Sequence, residues 1–207
     1  MSLCLDVFAV ELGPLHDAIG SRDQDLLRRV SYRSAGQWTE EDDYFAEEIA
    51  AGAPTSRDAT LAVINGGPFT EGYGTQYGSA FRDICGTMFA DFVLGNEYFS
   101  GFRTGWLVDV GKGLEQLGIT TPKLDDLVFS GMPRALPDSE GIGYGEWTNA
   151  ACRAGLAQWQ ASTPRQREAL HPEVLAAVEN CVAWMSAAAE ITDQFPDEEY
   201  GVAAFLL

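Results

Sequence analysis

The sequence predicts an α+β fold: a predominantly helical single domain over residues 1–207, with a small sheet that pairs the N- and C-terminal strands. Three observations carry this expectation. The two ends of the chain, SLCLDVFAVEL at 2–12 and YGVAAFLL at 200–207, are rich in strand formers and read as buried strands. Between them apolar residues recur at helical spacing, most clearly Tyr77, Phe81, Ile84, Cys85, Met88 and Phe92 at offsets 0, 4, 7, 8, 11 and 15. No internal repeat or linker divides the chain, and 207 residues at 46% hydrophobic supply a sizeable core.

The elements follow in order. Ser21 and Gln24 have capping-box spacing and open a helix through DLLRRV. Thr39 stands where a cap would open the next helix, and Thr55 or Ser56 where a third would begin. Asn65-Gly66-Gly67-Pro68 is a strong stop for that third helix. The 77–92 stripe is the fourth. FRTGWLVDVGKGLEQLG then puts Trp106, Leu107, Val110, Leu114 and Leu117 on one face, with Gly118 to close it. Gly105, Gly111 and Gly113 inside this helix each cost about 1 kcal/mol against alanine. Either neighbours approach very closely there or the helix is broken, and Gly155 beside Leu156 and Trp159 raises the same question. Leu124 to Phe129 is too short to assign. SGMPRALPDSEGIGYGEW, 130–147, reads as one long irregular loop. A helix from about 148 to 160 follows. Pro172 opens the last long helix, whose stripe is Val174, Leu175, Val178, Cys181, Val182 and Met185, and Pro196 ends it.

Charge narrows the function classes. Asp and Glu number 31 against 13 Lys and Arg, a net charge of −18. Such a surface repels nucleic acid and anionic membrane, and it attracts basic proteins. The same charge also serves solubility alone. No run of about 18 apolar residues predicts a membrane span. The N-terminal stretch carries Asp6 and no base, unlike a secretory signal, so a cytoplasmic setting is expected. Cys4, Cys85, Cys152 and Cys181 are far apart with no CxxC, and they read as buried small hydrophobes rather than metal ligands.

The stretch TEEDDYFAEE, 39–48, holds six acids and no base. With Thr39 as cap, Glu40, Glu41, Asp42 and Asp43 occupy a first helical turn, where carboxylates gain about 0.3–1 kcal/mol each from the helix dipole. Glu47 and Glu48 lie a turn further on without the downstream Lys or Arg that would compensate them. Two readings stand: a solvated helix face, or a docking surface for a basic partner. Calcium is disfavoured because the spaced ligands of a calcium loop are absent. Trp38, Tyr144 and Trp147 lie in or beside loops, as binding anchors or as packing. Under the 130–147 loop a second reading places a small-molecule pocket lined by Arg134, Asp138, Glu140, Tyr144 and Trp147.

No catalytic residue is assigned, and no metal or cofactor is expected. GWLVDVGKG misses the phosphate-loop spacing and has Gly113 where Ser or Thr is required. Gly72/Gly74/Gly78 and Gly141/Gly143/Gly145 lack the spacing and the preceding strand of a dinucleotide site, and read as turns. His16 and His171 are the only imidazoles, and nothing in the sequence brings His16 to Cys85.

DVFAVEL, AIGSRDQDLLRRV, QYGSAFRDIC, GWLVDVGKGLEQLG and LDDLVFSG, then Pro133, Pro137 and Gly145-Glu146-Trp147, together resemble an uncharacterised family of acidic, mostly actinobacterial proteins. The resemblance covers most of the chain. It implies one domain in a bacterial cytoplasm and brings no activity or site residues. The functional expectation is therefore an acidic interaction domain, of immunity or inhibitor type, neutralising a basic protein; the alternative is a small-molecule-binding protein or enzyme.

Overall fold

The computed structural model describes residues 2–207, and the apolar ends of the chain do become paired strands. The elements run β1 (Leu3–Glu11), α1 (Leu12–Asp17), α2 (Gln24–Tyr44), α3 (Ala46–Ala50), α4 (Ser56–Asn65) and α5 (Gly74–Met88). A 3-10 turn at Ala90–Phe92 leads to β2 (Val93–Leu94), β3 (Ser100–Phe102), α6 (Thr104–Gln116), α7 (Leu124–Val128) and β4 (Gly143–Trp147). The chain closes with α8 (Asn149–Ala161), α9 (Pro164–Glu168), α10 (Pro172–Gln194) and β5 (Tyr200–Leu206). The fold is α+β and predominantly helical, as the sequence predicts. The chain forms two compact units, each assembled from separated segments.

The first unit comprises 2–12, 92–130 and 144–207. β1 and β5 pair antiparallel from Leu5↔Leu206 to Glu11↔Tyr200 and lie at the centre of the sheet order β2-β1-β5-β4, with β3 also on β1. Alternation sends Leu5, Val7, Val202, Ala204 and Leu206 to one face, where α6, α7, α8 and α10 supply Leu107, Val110, Leu127, Cys152, Val178 and Trp184. α6 is continuous despite its glycines. A Cβ at Gly113 would lie 2.6 Å from Val174, and one at Gly155 2.5 Å from Met185, so these two let helices approach α10 closely. Gly105 and Gly111 have no neighbour within 4 Å of that position, and packing does not explain them. α10, 23 residues long, is the one helix among the described residues with the length and hydropathy to cross a membrane. Its stripe of Ala177, Val178, Cys181, Trp184, Met185 and Ala188 is buried in this unit, as in a core helix.

The second unit comprises 13–91 and 131–143. α2, α4 and α5 pack together around Val30, Trp38, Val63, Ile64, Tyr77, Phe81 and Ile84. α4 forms as expected: Thr55 caps it, accepting from Asp58 N–H at 3.2 Å, and Gly66 ends it in the left-handed region. The 131–143 segment is held on α5. Gly74 lies so close to the Asp138 carbonyl that a Cβ would stand 1.8 Å from its oxygen, and Thr75 Oγ1 accepts from Gly141 N–H at 3.2 Å. Gly74 and Gly78, read from the sequence as turn residues, lie in α5, where Gly74 admits a neighbouring backbone and Gly78 the Met132 side chain; Gly72 alone is a turn glycine, with positive φ.

The expected 130–147 loop is shorter than predicted. Its last residues, GYGEW, form β4 beside β5, because Tyr144 and Trp147 have a core to fill. The short elements α1, α3, α7, α9, β2 and β3 have no clear periodic signal in the sequence.

Candidate functional site

The acid run sits on a different part of its helix than the sequence indicates. Asp23, not Ser21, caps α2: its Oδ1 accepts from Asp25 N–H at 2.8 Å and Leu26 N–H at 3.0 Å. Thr39 is interior, and its hydroxyl donates to the Ala35 carbonyl at 3.1 Å. α2 therefore runs on to Tyr44, and Glu40, Glu41, Asp42 and Asp43 fall in its last turns. The dipole there works against carboxylates instead of for them. Glu47 and Glu48 are the two in a first turn, that of the five-residue α3.

Two of the six acids are internal. Glu41 Oε1 accepts from Arg82 Nη2 at 3.0 Å and from Gln37 Nε2 at 2.9 Å. Asp42 Oδ1 accepts from the N–H of Ser56 at 2.7 Å and from its hydroxyl at 2.8 Å, so it tethers the start of α4. Trp38 is likewise a core residue and not a surface anchor, a correction to its expected role: it is buried, and its Nε1 donates to Asp83 Oδ2 at 2.7 Å. Arg82 Nη2 also reaches Asp83 Oδ1, at 3.2 Å. Burial pushes the Asp83 carboxyl above its ordinary value, while Arg82 and the indole N–H pull it back. Desolvation outweighs the pairing.

The remaining four, Glu40, Asp43, Glu47 and Glu48, are exposed and have no side-chain partner among the described residues. Beside them Tyr44 is 81% exposed, its ring edge-on to Phe45 at 4.9 Å. Tyr44 is the aromatic group that the sequence reading passed over. Its position among acids at a helix end was the available signal.

The five residues expected to line a loop pocket divide. Tyr144 and Trp147 are core residues of the first unit: the Trp147 indole donates to the Lys123 carbonyl at 2.8 Å, and the Tyr144 hydroxyl bonds Glu146. Their side chains are buried, so neither lines an open surface. Arg134, Asp138 and Glu140 are exposed residues of the second unit.

A concave site that the sequence did not indicate lies in the first unit, between α6 and the start of α7. It encloses about 550 Å³ above Leu107, Leu114, Ile119 and Leu124, and Lys112 and Lys123 stand on its rim.

His16 is exposed on α1 and His171 is exposed before α10, while Cys85 is buried in α5. Among the described residues no three His, Cys, Asp or Glu side chains are arranged to hold a metal. Cys85, Cys152 and Cys181 are buried, and burial pushes the Cys152 thiol up to about 12 and the Cys181 thiol up as well. Partly exposed Cys4 is expected to be the one thiol that reacts quickly with an aromatic disulfide reagent in the native protein, with all four reacting in denaturant. Two fast thiols in the native state would contradict this burial pattern.

A family model described as "Domain of unknown function (DUF7691)" matches residues 1–204. No curated protein and no solved structure matches the chain.

Proposed function

The chain belongs to the DUF7691 family, a domain of unknown function, so membership brings no activity, and we propose from the geometry of the second unit that it binds a basic protein through an acidic face around Tyr44. One observation carries this reading: Asp43 is exposed in the last turn of α2, the end at which carboxylates cost helix stability, and Glu40 is exposed one turn before it. An arrangement that weakens its own helix and has no internal partner is explained by an external one. Glu47 and Glu48 extend the negative field, and Tyr44 supplies the ring-bearing contact typical of binding hot spots. Neutralisation of a basic partner, in the manner of immunity or inhibitor proteins, is the function that follows. The setting proposed for it is the bacterial cytoplasm.

Two measurements separate this from a merely solvated helix end. Replacing Glu40, Asp43, Glu47 and Glu48 by Gln or Asn is expected to leave the melting temperature unchanged or raise it. The same variant should lower the on-rate for a basic partner captured from the host by about tenfold or more at low salt. Tyr44→Ala should act on the off-rate instead, by about 2 kcal/mol. A partner whose association is as fast at high salt as at low salt removes the electrostatic basis of the proposal.

A further inference from the structure

The solvent face of α2 reverses its charge at Gly36. Residues 28–36 hold Arg28, Arg29 and Arg33 and no acid, and residues 37–48 hold six acids and no base. In a chain with 31 acids and 13 bases the first half is the exception, since it collects three of the bases without one acid. Arg28, Arg29, Arg33, Glu40 and Asp43 are all exposed. Arg28 is paired with Asp25 in its own helix, whereas Arg29 and Arg33 make no ion pair or side-chain hydrogen bond among the described residues. Tyr32 and Tyr44, at 90% and 81%, are the two most exposed large hydrophobic side chains among the described residues, and both belong to this helix.

The charges are placed symmetrically about Gly36. Arg29 and Asp43 each stand seven residues from it, about 10 Å along the axis, and Arg33 and Glu40 stand three and four residues from it. At about 100° per residue, Arg29, Tyr32, Gly36 and Asp43 fall within about 60° of one another, on the side away from buried Leu26, Val30, Ser34 and Trp38. Arg33 and Glu40 share one flank of that stripe. A helix laid antiparallel on its own copy, with the two-fold axis at Gly36, sets position 29 against 43 and position 33 against 40. Each of these contacts is an arginine against a carboxylate, and each occurs twice. A parallel copy would set like charges together instead. Gly36 has no side chain to hold the two backbones apart, and the Tyr32 rings fit beside it.

We propose that α2 pairs with α2 of a second copy of this chain, antiparallel across Gly36, through Arg29 to Asp43 and Arg33 to Glu40 ion pairs with Tyr32 packed between them. The inference rests on the reading that Glu40 and Asp43 dock a cationic surface. It names one such surface, and self-pairing covers the acid face until a basic protein displaces the copy. The contact is a single helix face, below the roughly 1,200 Å² of a stable complex, so the pair is weak and reversible. The net charge of −18 on each copy opposes their approach beyond a Debye length, about 30 Å at about 0.01 M salt and about 8 Å at about 0.15 M. Self-pairing is therefore stronger at the higher of these two salt concentrations, opposite in sign to the binding of a basic protein.

The test is sedimentation equilibrium of the full chain at about 0.15 M salt and up to about 1 mM protein, with two charge-swapped variants. The parent chain is expected to dimerise with a Kd between about 10 µM and about 1 mM. Arg29→Asp/Arg33→Glu and Glu40→Lys/Asp43→Lys should each weaken self-association by about tenfold or more, because every contact then sets like charges together. Their equimolar mixture should form a one-to-one dimer again, with all the pairs restored. All four side chains are exposed and neither swap opposes the helix dipole, so the melting temperature of both variants should hold. The proposal is overturned by any of three results: a parent chain still monomeric at about 1 mM, self-association unmoved in both variants, or a mixture that stays monomeric. None of these touches the basic-partner reading, whose test is the on-rate of a basic protein after the acid face is neutralised. Arg29→Asp/Arg33→Glu keeps that face and should keep that binding.

Discussion

Replacing Trp147 by alanine should destabilise the protein by about 3–5 kcal/mol. The indole is 1% exposed, belongs to the main core of the first unit and lies 6.3 Å from the Trp184 ring. Removing it deletes a large apolar body that the surrounding strands and helices cannot close over. It also orphans the Lys123 carbonyl, which accepts from the indole N–H at 2.8 Å. For a chain of this size such a loss lowers the melting temperature by about 10 °C or more. Trp147→Phe keeps most of the volume and should cost markedly less. A Trp147→Ala protein that melts within about 2 °C of the parent would show that Trp147 is not the core residue described here.

Arg82→Ala should cost about 3–5 kcal/mol for a different reason. Arg82 bridges Glu41 on α2 and Asp83 on α5, and the three side chains are 12%, 21% and 5% exposed. Without the guanidinium, Asp83 is left as a buried carboxylate with the Trp38 N–H as its remaining charge-stabilising donor. The pH dependence has a definite sign. Burial already holds the Asp83 carboxyl above its ordinary value. Between the ordinary and the raised value the folded state binds more protons than the unfolded state, so the stability Asp83 contributes is present at low pH and lost as pH rises through the raised value. Removing Arg82 moves the raised value further up. The destabilisation measured by denaturant titration is therefore largest near neutral pH and shrinks on acidification. In an Asp83→Asn background the amide oxygen can still accept from Trp38, the charge is gone, and Arg82→Ala should cost about 1 kcal/mol or less. Equal costs in both backgrounds, at both pH values, would remove the buried pair as the cause.

The long periodic elements are legible in the sequence. The stripes from Tyr77 to Met88, from Leu107 to Leu117 and from Val174 to Met185 lie on helices where their spacing places them, except that Phe92, expected on the first, falls beyond the end of α5, and β1 and β5 pair as their composition suggested. Helix boundaries were less legible where two caps compete. Ser21 with Gln24 and Thr39 with its four acids both look like starts, yet Asp23 caps α2 and the helix continues past Thr39. A cap signal states only that a side chain could serve an N–H group. Whether the helix ends there depends on what its next turn packs against, and Trp38 and Glu41 are held by Asp83 and Arg82, more than 40 residues away in sequence.

Sequence alone determined the charge, the helical and strand stripes and the family, because each of these is a property of local order or of totals. Only the tertiary structure decided which acids face water, in what register the two end strands pair, why Gly113 and Gly155 are glycine, and that Lys112 and Lys123, eleven positions apart, line one cavity. The physical reason is that burial, desolvation and concavity are created by side chains from distant segments meeting, and no window along the chain contains both partners of such a meeting.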